Sequence, residues 1–147
     1  MMVKHTVIDT LIELTAKESD TAAVQLGHAV RAHEESREKS DLLVSYRQEY
    51  IEKLNATMAA GLNIQQHKNY QDFIKGLDRA IAQQNQTCVV THEKVLTQRS
   101  MWQQSERKHL SYTTLSQRAT ALAQKIENKR DQKNTDEFAA RKRIVQR

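Results

Sequence analysis

Six histidines and one cysteine are the residues of this 147-residue chain whose types could do chemistry. His5, His28, His33, His67, His92 and His109 suggest metal ligation, and Cys88 suggests a thiolate. Histidines that share a metal on one helix face stand three or four residues apart, as in an HExxH segment. No two of these histidines have that spacing, so surface and seam positions account for them. A lone cysteine cannot build an internal disulfide framework and favours a reducing compartment. Cys88 therefore reads as a small core-facing residue. There is no glycine-rich phosphate loop, no GxSxG and no CxxC. The chain is read as a non-enzyme with no cofactor, no metal and no small-molecule substrate.

The elements that must position any working residues are helices. Proline is absent, glycine occurs three times, and aromatics make up 5% of the chain. Charged residues make up 28%, hydrophobic ones 38%, and mean hydropathy is −0.76. A rounder fold of this length would bury more Phe, Trp and Val. A long helix buries one stripe and solvates the rest, which suits this composition. The expected fold class is all-α. Two helices also lack the concave, water-excluding pocket that catalysis uses. No apolar run of 18 residues is present, and the N-terminal stretch acquires acids too early for a signal peptide. A soluble, intracellular protein is expected.

Net charge is +5, and residues 125–147 supply four of those charges through eight basic and four acidic residues. The basic character belongs to this tail, since signs interleave elsewhere.

Apolar residues recur at helical spacing through Ile8, Leu11, Ile12, Ala22, Leu26, Ala29 and Val30. Thr6 with Asp9 forms a weak capping box for this first helix. The stripe fades over RAHEESREKSD and resumes at Val44, Ile51, Leu54 and Met58. Glu35–Lys39 and Glu49–Lys53 are acid-before-base pairs four residues apart. Residues 55–69 hold the one credible break: Gly61 can end a helix left-handed, and Asn63 with Gln66 can cap the next. A second seam then runs Tyr70, Ile74, Leu77, Ile81, Gln84, Cys88, Thr91, Val95, Gln98, Trp102, Ser105, His109, Tyr112. It is expected to continue through Leu115, Ala119, Leu122 and Ile126. Spacing of three and four sustained this long predicts a coiled coil. The expectation is one domain over 1–147: helix 1 about 6–58, a turn about 59–66, helix 2 about 67–142, and a basic tail. A short link makes the helices antiparallel, the second longer than the first.

One feature exceeds what such a hairpin needs. Beside the seams near the turn, Leu43, Tyr46 and Tyr50 add a stripe on helix 1, and Phe73 and Ala80 widen that of Leu77 on helix 2. Tyr46 and Leu77 fall at similar heights about Gly61, so the stripes can merge into one exposed patch. A fat seam around bulky side chains explains the same residues. Tyr- and Phe-rich apolar patches are also what interfaces use.

The segments YRQEYIEKLN (46–55), NYQDFIKGLDRAIAQQ (69–84) and DQKNTDEFAARK (131–142) resemble the FliJ family of bacterial flagellar export proteins. The likeness runs in the same order over nearly the whole chain. It implies an antiparallel coiled coil similar to the stalk of rotary ATPases, in the cytoplasm and peripheral to the inner membrane through its partners. Those implied partners are the export ATPase FliI, the export gate FlhA and export chaperones. The family's gate-binding patch maps onto Leu43, Tyr46, Tyr50, Phe73, Leu77 and Ala80, flanked by Lys39 and Gln84. The stalk analogy implies that Lys129, Arg130, Lys133, Arg141, Lys142 and Arg143 meet the ATPase ring. Competing readings are the stalk of a virulence injectisome and a coiled-coil holdase chaperone. A basic-tail nucleic-acid binder is disfavoured by the acids of DQKNTDEF.

Overall fold

The computed structural model describes residues 2–61 and 63–146, with side-chain surroundings from Val7 onward. It is all-α: α1 spans Met2–Ala60 and α2 spans Ile64–Val145, 59 and 82 residues long. The two pack antiparallel, and no described residue is in a strand. Contacts group the chain into two compact units, Asp20–Gln103 and Met1–Ser19 with Gln104–Arg147.

The first unit, Asp20–Gln103, is a hairpin built around the predicted turn. Gly61 sits at φ 94°, a left-handed conformation that costs glycine little. Its N–H donates to the Met58 carbonyl at 3.2 Å and closes α1. Asn63 Oδ1 accepts from the Gln66 N–H at 2.8 Å, and Gln66 Oε1 accepts from the Asn63 N–H at 3.4 Å. This reciprocal capping box starts α2 three residues earlier than the sequence suggested. Both helices are longer than expected. Thr6 lies inside α1 and not at its start, because the residues before it include no helix breaker.

The seam of this unit follows a heptad on both helices. On α1 it runs through Ala22, Leu26, Ala29, His33, Ser36, Ser40, Leu43, Arg47, Tyr50 and Leu54, all buried or half-buried. On α2 every seam residue predicted from Tyr70 to Gln98 is likewise buried or half-buried. Two expectations for α1 need correction. The stripe does not fade over RAHEESREKSD, and Val44 and Met58 lie outside the seam at 51% and 49% exposed. Polar pairing carries the seam through that stretch. Ser36 Oγ lies 3.2 Å from Cys88 Sγ and accepts from Gln84 Nε2 at 3.0 Å. His33 Nδ1 lies 3.0 Å from Thr91 Oγ1, and Ser40 donates to Asn85 Oδ1 at 3.0 Å. Polar residues at a and d positions lower stability but specify register.

In the second unit, Thr15 is only 1% exposed and meets His109 Nδ1 at 3.1 Å. Its hydroxyl also donates back to the Leu11 carbonyl at 2.8 Å. Ser19, also buried, donates to Glu106, and Lys108 pairs with Glu18 at 3.8 Å. The α2 seam ends here at Ser116. Leu115, Leu122 and Ile126 are 51%, 60% and 52% exposed, and Ala119 is exposed, against the expected continuation. The register of Thr15 with His109 brings α1 to its first residues near this level. Residues 117–146 are all exposed.

Candidate partner-binding face

Heptad positions decide which side of the hairpin each patch residue occupies. With Arg47 and Leu54 at a, Leu43 and Tyr50 fall at d and Tyr46 at g. On α2, Ile74 and Ile81 take a, Leu77 takes d, and Phe73 and Ala80 take g. Reversing one helix brings the g edges of both to the same side of the seam. All six predicted patch residues therefore lie on one side of the Asp20–Gln103 unit. The side chains agree: Tyr50 and Phe73 stack across the helices with ring centroids 4.1 Å apart, planes inclined by 24°. Tyr46 and Phe73 remain 46% and 45% exposed. Leu43, Tyr50, Leu77 and Ala80 are half-buried. The two readings of the surplus stripe thus divide by residue. Leu43, Tyr50 and Leu77 are seam, while Tyr46, Phe73 and Ala80 widen it outward.

The opposite edge is polar. Arg47 pairs with Asp78 there, Ser40 with Asn85, and His33 stands beside His92 with ring centroids 5.3 Å apart. This histidine pair was invisible to spacing along one helix, because its members come from different helices. Among the described residues no three of His, Cys, Asp and Glu are placed to hold a metal ion.

Two further features flank the expected patch. Leu42 sits one turn before Tyr46 and is 51% exposed, extending the apolar face outward. Gly76 is exposed between Phe73 and Ala80, and a Cβ there would meet nothing within 4 Å. Of the two expected flanking positions, Lys39 is exposed. Gln84 turns inward and donates to the Ser36 carbonyl at 2.9 Å.

The basic candidates Lys129, Arg130, Lys133, Arg141, Lys142 and Arg143 all lie on the exposed stretch of α2. Lys129 and Lys133 share one shallow surface with Gln132, Asp136, Glu137 and Ala140. Lys142 and Arg143 stand in the last turn, where cations complement the carbonyl end of the helix dipole. No helix among the described residues is long and apolar enough to cross a membrane.

Comparison with known proteins agrees with this architecture. The family model described as Flagellar FliJ protein matches residues 5–147. The Flagellar FliJ protein of Escherichia coli K12 is 35% identical over 140 residues, covering 95% of each chain. That of Salmonella typhi is 36% identical over 140 residues, again 95% of each. Matches of this extent take in the aromatic face, the turn and the basic end together, and the chain belongs to the flagellar FliJ family.

Proposed function

We propose that this protein is a docking component of the flagellar type III export apparatus, working through its helical surfaces and not through catalysis. In this reading Leu43, Tyr46, Tyr50, Phe73, Leu77 and Ala80 bind the export gate FlhA. The basic stretch of α2 engages the ring of the export ATPase FliI, which keeps ATP hydrolysis for itself. Export chaperones are further partners, and the protein acts at the inner membrane through its partners. Membership of a flagellar family favours this apparatus over an injectisome.

One observation carries the gate reading. The Tyr50–Phe73 stack joins the helices, yet leaves Tyr46 and Phe73 nearly half exposed on a single side. Aromatic side chains with that combination of rigidity and exposure are typical interface anchors. The test is a pull-down of the purified chain against FliI and the cytoplasmic domain of FlhA. Retention of both by wild type, and loss of FlhA alone in Tyr46→Ala, is the expected result. Equal retention of FlhA by wild type and Tyr46→Ala would reject the assignment.

A further inference from the structure

The aromatic face is framed by two exposed lysines, neither of which has a carboxylate partner among the described residues. Lys39 and Lys53 occupy the same g edge as Tyr46, one heptad before it and one after. Glu35 and Glu49 stand four residues ahead of them, the favourable order for ion pairs on a helix. Neither pair forms: among the described residues the ion pairs are Arg47–Asp78 and Lys108–Glu18. Lys53 Nζ lies instead 5.7 Å from the centre of the Tyr50 ring. Two exposed ammonium groups thus bracket an apolar strip about 21 Å long, at 1.5 Å per residue.

The backbone limits what can lie on that strip. Every N–H and C=O along α1 and α2 here belongs to a continuous helix, so no edge exists for an added β-strand. A helix laid against the side of the seam is the mode that suits such a face, since it needs no backbone pairing. Gly76 fits this mode. It weakens α2 by about 1 kcal/mol relative to alanine, and nothing in the chain approaches within 4 Å of its missing Cβ. Beside Phe73 and Ala80 it lowers the wall of the face, as a closely packed partner helix requires.

We propose that the occupant is an amphipathic helix of the partner, its apolar stripe bracketed by two carboxylates about two heptads apart that meet Lys39 and Lys53. This deepens the gate reading and rests on it. The apolar stripe covers Tyr46, Phe73 and Leu42, and the two end charges fix its register along α1. Charge pairs at the rim of an apolar contact set register and on-rate more than bulk affinity, and salt weakens them.

The test uses the full chain and the purified cytoplasmic domain of FlhA, with affinity and melting measured on every variant. Lys39→Glu with Lys53→Glu is expected to weaken binding at least tenfold with only a small drop in melting temperature, since each new carboxylate stands four residues after Glu35 or Glu49. The corresponding Gln pair should lie between that variant and wild type. Raising salt should weaken wild type and leave the Gln pair nearly unmoved. Rescue of the Glu pair by exchanging for lysine two FlhA carboxylates about two heptads apart supports the helix. Rescue only by a pair about six residues apart, the spacing of an extended strand over that distance, overturns it. If Tyr46→Ala weakens binding while the lysine reversals leave it within twofold, the face is right and the occupant wrong. If neither changes affinity, the gate reading itself fails.

Discussion

Tyr50 and Phe73 stack across α1 and α2 at 4.1 Å between ring centroids, so one contact serves both folding and recognition. Tyr50 is a d residue of the seam, whereas Tyr46, one turn earlier at g, is 46% exposed and supports little else in the chain. Their alanine variants should separate. Tyr46→Ala should change stability by no more than about 0.5 kcal/mol, the usual range for a surface site. Tyr50→Ala and Phe73→Ala should each cost about 1–2 kcal/mol, with a coupling of about 0.5–1.5 kcal/mol between them. All three should weaken FlhA binding by about 1–3 kcal/mol if they are anchors. Thermal melting and titration on the same samples check this. Loss of binding confined to the destabilised pair would return Tyr46 to the solvent.

The Thr15–His109 layer makes a second prediction, about cost and specificity. Thr15→Val keeps the shape but leaves His109 Nδ1 without its partner 3.1 Å away. His109 is only half-buried, so that should cost about 0.5–1.5 kcal/mol, the net worth of one hydrogen bond. Replacing both residues, Thr15→Val with His109→Leu, should recover most of the loss or exceed wild type. Chemical denaturation of the four members of the cycle reads this out. A double variant as weak as Thr15→Val alone would mean that packing, not pairing, sets the cost.

Much of this architecture was legible because its signals are local. The Gly61–Asn63–Gln66 turn depends on residues within six positions, and the seven-residue repeat of α2 is unbroken from Tyr70 to Tyr112. The α1 seam was read less well for a physical reason. His33, Ser36 and Ser40 are polar, and only their partners Thr91, Cys88 and Asn85 on the other helix make them core residues. A hydrophobicity pattern cannot see a satisfied hydrogen bond. Val44 and Met58 fit a hydrophobicity pattern because they are apolar, although the repeat through Leu43, Arg47, Tyr50 and Leu54 excludes both. The same repeat carried through Lys39 and Lys53 would have shown that the patch has charged ends.

The glycines offer a third prediction with opposite signs. Gly76 is exposed within α2 with open space where a Cβ would go, so Gly76→Ala should stabilise the chain by about 0.5–1 kcal/mol. Gly61 sits at φ 94°, where a side chain is strained, so Gly61→Ala should destabilise by about 1 kcal/mol or more. Melting of the two variants settles the signs. Should the partner helix pack against Gly76, the stabilised variant would also bind FlhA less tightly, since the added methyl meets the partner and nothing in the chain.

The last prediction concerns the exposed stretch of α2. Residues 117–146 are exposed throughout, and those from Lys129 on lie well beyond the last half-buried residue, Ser116, so their removal should leave the packed seam intact. Truncation before Lys129 removes Lys129, Arg130, Lys133, Arg141, Lys142 and Arg143 at once. The shortened chain should melt as wild type does and keep its affinity for FlhA, because the aromatic face lies within Asp20–Gln103. A solvated charged end that merely frays would also satisfy both results. The ATPase separates the two. If the basic stretch meets acidic groups of the FliI ring, truncation should abolish stimulation of ATP hydrolysis. Raising salt should weaken that stimulation in the intact chain, as exposed charges are screened within about 8 Å at physiological ionic strength. Charge-neutral variants, Gln for each of the six basic residues in the full-length chain, should reproduce the loss without shortening the helix. Full stimulation by the truncated protein would move the ring contact to the paired part of the molecule, where Lys108–Glu18 and its neighbours would become the next residues to change.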